Sequence, residues 1–192
     1  IMKIVLLNSC FISKRNDYIQ GTDCQLRLGV ASIAAFLRKS NVDVKVIDTQ
    51  MERLTLNEVA QKIILYQPNY LGLSAYTEEI QDAADIASEV KKYNAEIKTI
   101  VGGAHASAIP FDTLEEFRAF DIIVLGEGEL ALRDILQENK LENIKGIGYR
   151  NREGAIIINT AQSEYIDLND LPTPAWDLYH NLKSYRYLPI DT

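Results

Sequence analysis

A chain of 192 residues suits one ordinary domain with an appendage, or two small ones. Hydrophobic residues at 47% and charged residues at 24% exclude disorder over most of the length. A formal charge of −7, with no Lys/Arg cluster to overrule it, disfavours nucleic acid as a partner.

The first apolar run covers residues 3–7 and reads as a strand. It stops at Asn8, too short for a secretory signal core, and no run anywhere approaches a membrane span. A polar stretch of about eighteen residues follows, from 8 to 25, against the usual two to six for a strand-to-helix loop. A loop of that length at a sheet mouth covers a ligand or partner, or is a surface insertion. It holds Cys10 and Cys24, which fit neither a disulfide framework nor a CxxC pair. The expected setting is a reducing cytoplasm, away from any membrane, with two free thiols.

Val30, Ile33, Ala34 and Leu37 then recur at helical spacing. Residues 44–48 are the second strand. Thr55 with Glu58 three residues on forms a capping box, ahead of a stripe of Leu56, Val59, Ala60 and Ile63. Residues 70–74 are the third strand, followed by a helix marked by Ala83, Ile86, Ala87 and Val90. The fourth strand, 97–101, ends in Gly102 and Gly103. Thr113 and Glu116 predict a second capping box on a short helix with Leu114 and Phe117 inside. The fifth strand, 121–125, ends in Gly126, Glu127, Gly128 and Glu129, and Leu132, Ile135 and Leu136 face inward on the last helix.

Repeated βαβ units imply an α/β fold of flavodoxin or Rossmann type: a five-stranded parallel sheet, order 2-1-3-4-5, between two helical layers over residues 2–139. Residues 140–192 read as an appendage. Residues 144–149 and 155–159 flank a Gly-containing loop and predict a β-hairpin. Pro172 and Pro174 then favour an extended connector. From Leu168 onward the apolar Leu171, Trp176, Leu178 and Tyr179 follow no clear period. The tail is expected to pack poorly or to borrow contacts, as a connector cut from a longer protein; the plain alternative is that it folds back to complete the core.

Ligands of such sheets bind outside the carboxyl ends of the strands. Those ends carry Asn8 and Ser9; Asp48 and Thr49; Ser74, Ala75, Tyr76 and Thr77; Gly102, Gly103, Ala104 and His105; and Gly126, Glu127, Gly128 and Glu129. Glycine often merely ends a strand. Gly102, Gly103, Gly126 and Gly128 beside Ser74 favour a ligand lying against the backbone. No P-loop and no G-x-G-x-x-G follows the first strand, and Glu127 and Glu129 would repel a polyphosphate. A signalling receiver needs acids after the first strand, Asp after the third and Lys after the fifth; Asn8, Ser74 and Gly126 occupy those places. Histidine occurs only as His105 and His180, with no HExxH and no Cys/His cluster, so neither a catalytic residue nor a metal ligand is assigned.

Taken together these stretches resemble the cobalamin-binding domain that precedes the barrel of cobalamin-dependent radical S-adenosylmethionine enzymes. The likeness rests on LGVASIAAFL at 28–37, LGLSAYT at 71–77, IVGGAHAS at 100–107, DIIVLGEGE at 121–129, IKGIGYR at 144–150 and DLPTPAWD at 170–177. It implies that cobalamin binds at Ser9, Ser74, Tyr76, Thr77, Gly102, Gly103, Ala104, His105, Gly126, Glu127, Gly128 and Glu129. Ser74 would hydrogen-bond the nucleotide tail, Gly102 and Gly103 would give it backbone access, and residues 126–129 would line the far wall. The D-x-H-x-x-G loop of methionine-synthase-like domains, whose histidine ligates cobalt, is absent from residues 8–25. The implied cobalamin is therefore base-off, without a histidine ligand. A C-x-x-x-C-x-x-C run for a [4Fe-4S] cluster is also absent. S-adenosylmethionine and the cluster would belong to a C-terminal barrel outside this sequence, and the chain alone is expected to be inert. The parent would be a methyltransferase or a cyclase-like oxidoreductase. Two other readings stay open: the same fold without cofactor, serving as an interaction and substrate-channel module, or a flavodoxin-like binder of a small molecule.

Overall fold

The computed structural model describes residues 1–8, 27–52, 54–159, 166–180 and 182. Seven strands form one sheet: β1 (Lys3–Asn8), β2 (Asp43–Asp48), β3 (Tyr70–Ser74), β4 (Lys98–Gly102), β5 (Ile122–Val124), β6 (Ile147–Arg150) and β7 (Ile156–Ile158). Their order is β2-β1-β3-β4-β5-β6-β7. The first five are parallel in the predicted order 2-1-3-4-5. The predicted hairpin forms and extends the same sheet. β6 runs antiparallel to β5, pairing Ile123 with Gly148, and β7 forms the edge.

Seven α-helices accompany the sheet among the described residues: α1 (Leu28–Lys39), α2 (Thr49–Glu52), α3 (Leu56–Tyr66), α4 (Ile80–Tyr93), α5 (Ala104–Ala108), α6 (Pro110–Glu116) and α7 (Glu129–Leu136). The period-2 geometry of a strand sorts the core into two halves. Ile4, Leu6, Val44, Val46, Ile100 and Val124 pack under α1 and α7. Val5, Leu7, Leu71, Leu73, Val101 and Ile123 pack under α3, α4 and the α5–α6 segment.

The Thr55–Glu58 capping box forms, with the Glu58 N–H donating to Thr55 Oγ1 and the Thr55 N–H donating to Glu58 Oε2 at 2.8 Å. The second box does not. α6 starts at Pro110, and Thr113 lies inside it, its hydroxyl donating to the Ile109 carbonyl at 2.7 Å. Proline at the first helical position is pre-set in φ, and this starts the helix ahead of the Thr113 signal. α5, five residues directly after Gly103, is an element that hydrophobic periodicity did not reveal.

The tail folds back, against the expectation of poor packing. Ala175 and Tyr179 are buried in the α1-side core, with Trp176, Leu178 and Leu182 packed against it. The Ala175 N–H donates to the Ala31 carbonyl at 3.0 Å. Arg38 reaches both carboxylate oxygens of Asp177, at 2.9 and 2.8 Å. Leu168 remains exposed.

Candidate functional site

A cleft of about 170 Å³ opens at the carboxyl end of the sheet, on the α1 and α7 side. Its floor comes from alternate residues of the central strands. Leu6, Ile100 and Val124 supply side chains, while Gly72 and Gly102 supply none. A Cβ at Gly72 would stand 2.7 Å from Leu6 Cδ2. At Gly102 such a Cβ would sit in ordinary contact with Val124 of β5, 3.7 Å from its carbonyl oxygen, so a side chain is accommodated there without a clash. One wall is the first turn of α1, through Gly29, Val30 and Ile33. The other is the start of α7, through Gly128, Glu129 and Leu132. A Cβ on Gly128 would lie 3.0 Å from Ile33 Cδ1, so this glycine lets the two walls approach.

The strand-end loops are held by local bonds. Gly126 adopts φ +65° and its N–H donates to Ser107 Oγ at 3.0 Å, joining the β5–α7 loop to α5. Gly103 adopts φ +99°, and a Cβ there would stand 2.7 Å from the Ala75 carbonyl oxygen. A side chain at Gly103 therefore collides with the β3 end rather than filling the cleft. Gly102 is the one of the two where a Cβ fits without a clash.

Ser74, Gly102, Gly103, Gly126, Glu127, Gly128 and Glu129 all line the cleft. Tyr76, Thr77, Ala104 and His105 do not. His105 is buried, with Nδ1 3.2 Å from Thr77 Oγ1. Ser9 lies outside the described residues. Glu129 is buried, and that burial raises its carboxyl above the usual range, with the neighbouring Glu127 charge adding to the rise. Gly29 and Gly72 were missed as lining residues. The signal for Gly72 was available: Leu71 and Leu73 face one way in β3, so Gly72 and Ser74 share the other face.

Beyond Ser74 the predicted Tyr76 stands in a second group whose other members, Arg27 and Glu79, sequence reasoning did not single out. Tyr76 is half exposed, with the Arg27 guanidinium 4.4 Å above its ring. Arg27 pairs with the buried Glu79, which also accepts the Tyr76 N–H at 2.9 Å. At the ends of β1 and β2, Asn8 Nδ2 donates to Asp48 at 3.2 Å and the Thr49 hydroxyl donates to the Asn8 carbonyl at 3.1 Å. Tyr179 covers this polar patch from the tail. Burial, together with the Asp48 charge, holds its hydroxyl above the ordinary phenol range. Asn8 Oδ1 is buried and accepts no hydrogen bond among the described residues.

Among the described residues no group of His, Cys, Asp and Glu is placed to hold a metal ion. A largely apolar slot with one hydroxyl and one buried carboxyl suits a ligand held mainly by burial. A family model described as "B12 binding domain" matches residues 23–136. The chain is 32% identical over 154 residues to an uncharacterized methyltransferase of Pyrococcus horikoshii, covering 79% of this chain and 33% of that protein. It is 28% identical over 170 residues to the anaerobic magnesium-protoporphyrin IX monomethyl ester cyclase of Rubrivivax gelatinosus, covering 84% of this chain and 30% of that one. Among solved structures it is similar to the cobalamin-dependent S-adenosylmethionine radical enzyme OxsB, with aqua-cobalamin and S-adenosylmethionine bound. The TM-score is 0.76 and the identity 26%, over 93% of this chain and 24% of that one. The chain thus spans about a third or less of the length of these relatives.

Proposed function

The chain belongs to the B12-binding domain family, and from that premise we propose that it is the cobalamin-holding module of a radical S-adenosylmethionine methyltransferase or cyclase-like enzyme. The observation that carries the reading is the cleft between α1 and α7. It opens at the carboxyl end of a parallel sheet, where such sheets take their ligands, and Gly72 and Gly102 put no side chain into its floor. The residues suit the nucleotide tail of cobalamin. The slot is narrow and apolar, Ser74 offers a hydroxyl at its edge, and Gly102 leaves backbone within reach. Burial disfavours the charged form of the Glu129 carboxyl at the mouth of α7. Tyr76, Thr77, Ala104 and His105, just past the ends of β3 and β4, complete the proposed set, to which the family resemblance adds Ser9.

Bound cobalamin supplies methyl-transfer or radical chemistry; this chain supplies placement. Residues 9–26, the loop after β1, contain no histidine. The cofactor is therefore proposed to bind base-off, without a histidine ligand. S-adenosylmethionine and a [4Fe-4S] cluster belong to a C-terminal barrel of the parent, in a reducing cytoplasm. In this reading residues 2–139 are the binding domain and 140–192 lead toward the barrel.

The test is reconstitution with hydroxocobalamin, desalting, and a visible spectrum of what is retained. Retained corrinoid with a base-off spectrum is expected. A well-folded protein that retains none would favour the cofactor-free interaction module.

A further inference from the structure

Arg27 stands where three parts of the molecule meet. It immediately precedes α1, the helix whose first turn walls the cleft. Its guanidinium covers one face of Tyr76 and pairs with Glu79, and Glu79 holds the Tyr76 N–H. Its backbone carbonyl accepts the Tyr179 hydroxyl at 3.3 Å. Side-chain exposures of 16% for Arg27 and 4% for Glu79 place the ion pair largely out of water. Breaking such a pair from one side strands a charge, so the arrangement resists drift.

The placement of these bonds separates a positioning device from a plain staple. A staple fixes surfaces that are themselves buried. Here the fixed object is a ring left half in solvent, two residues beyond the cleft's Ser74. The anchor on the other side is Tyr179, buried in the core half that contains α1.

We propose that Arg27 is a positioning residue that sets the Tyr76 ring for ligand contact and takes its own setting from Tyr179, so that the tail and the ligand site are energetically coupled. The identity of the ligand rests on the cobalamin reading; the coupling does not. Residues after the sheet would thereby tune the site, and ligand in the site would tighten the tail, since coupling is reciprocal.

The first arm uses the ligand-free chain and reads hydrogen exchange at the Tyr76 amide. Arg27→Gln should speed that exchange about tenfold and Tyr179→Phe severalfold, as expected when local opening becomes easier. Arg27→Lys, which keeps the charge for Glu79, should restore most of the protection. Asp177→Asn, which weakens the exposed tail pair with Arg38 without touching Arg27, should leave Tyr76 exchange unchanged. An unchanged Tyr76 amide in Tyr179→Phe overturns the coupling. So does Asp177→Asn acting as strongly as Tyr179→Phe, which would indicate general loosening of the tail. The second arm titrates hydroxocobalamin at matched thermal stability. Arg27→Gln should weaken binding about tenfold, and unchanged affinity overturns the positioning role. A wild-type chain that retains no corrinoid overturns the cobalamin reading, while the exchange arm has already decided the coupling.

Discussion

Gly102 and Gly103 are neighbours whose substitutions separate stability from binding. At Gly103 the positive φ and the 2.7 Å approach to the Ala75 oxygen make any side chain strained. Gly103→Ala is expected to cost about 1–3 kcal/mol in urea unfolding. At Gly102 a Cβ meets nothing nearer than 3.7 Å. Gly102→Val should change stability by less than about 1 kcal/mol, because valine suits a strand, yet abolish hydroxocobalamin retention by filling the floor. Equal stability losses in both variants would contradict this division. Glu129 gives a pH signature. Its folded-state pKa is raised by burial, so the folded state binds the proton more tightly than the unfolded state. Its contribution to stability is therefore full at low pH and falls as pH rises from the ordinary glutamate value through the raised one. Glu129→Gln should remove that fall, leaving the variant more stable than wild type at neutral pH. Chemical denaturation at acidic and neutral pH checks the sign.

At the scale of elements, α3 and α6 carry the same Thr/Glu spacing with opposite outcomes. Thr55 is a working N-cap, and Thr55→Ala should cost about 1 kcal/mol. Thr113 sits inside α6 and bonds back to Ile109, so no cap is lost when it is changed. Thr113→Ser, which keeps that hydroxyl, should cost less than Thr55→Ala in parallel melts. The end of α6 is tied to the hairpin instead. Arg150 of β6 donates to the Leu114, Phe117 and Phe120 carbonyls, at 3.4 Å for Phe117 and 2.6 Å for Phe120. A cation at a helix carboxyl end also suits the helix dipole. This explains why the hairpin joins the sheet: β6 pairs with β5 while Arg150 gathers the loose carbonyls beneath it.

For the whole molecule, the tail decides how the α1 face is covered. Ala175 and Tyr179 lie in the core, and Trp176 packs 5.8 Å from the Tyr179 ring, centroid to centroid. Trp176 is the only tryptophan. Its emission should be blue-shifted and partly protected from acrylamide in the monomeric chain, and Tyr179→Ala should reverse both. A fully solvent-like emission in wild type would restore the picture of a loose connector. No helix among the described residues is long and apolar enough to cross a membrane.

Local chemistry sufficed for the five parallel strands and their order, for the α3 cap, and for the strand-end glycines, Ser74 and the two glutamates that line the cleft. Each of these follows from patterns within a few residues: apolar runs, capping spacing, glycine after a strand. Membership of the B12-binding family was likewise legible in the strand-end runs taken as a set. The tertiary structure alone decided the rest, because it depends on which distant surfaces meet. Gly103 lines the cleft, and only the fold shows that its missing side chain also makes room for Ala75 of the neighbouring strand end. Arg27 carries no motif, and gains its place only when Glu79, Tyr76 and Tyr179 converge on it from separate segments. The tail has no period to read, since it packs as single residues against α1 rather than as a regular element. Long-range burial, which no local window contains, fixed its position.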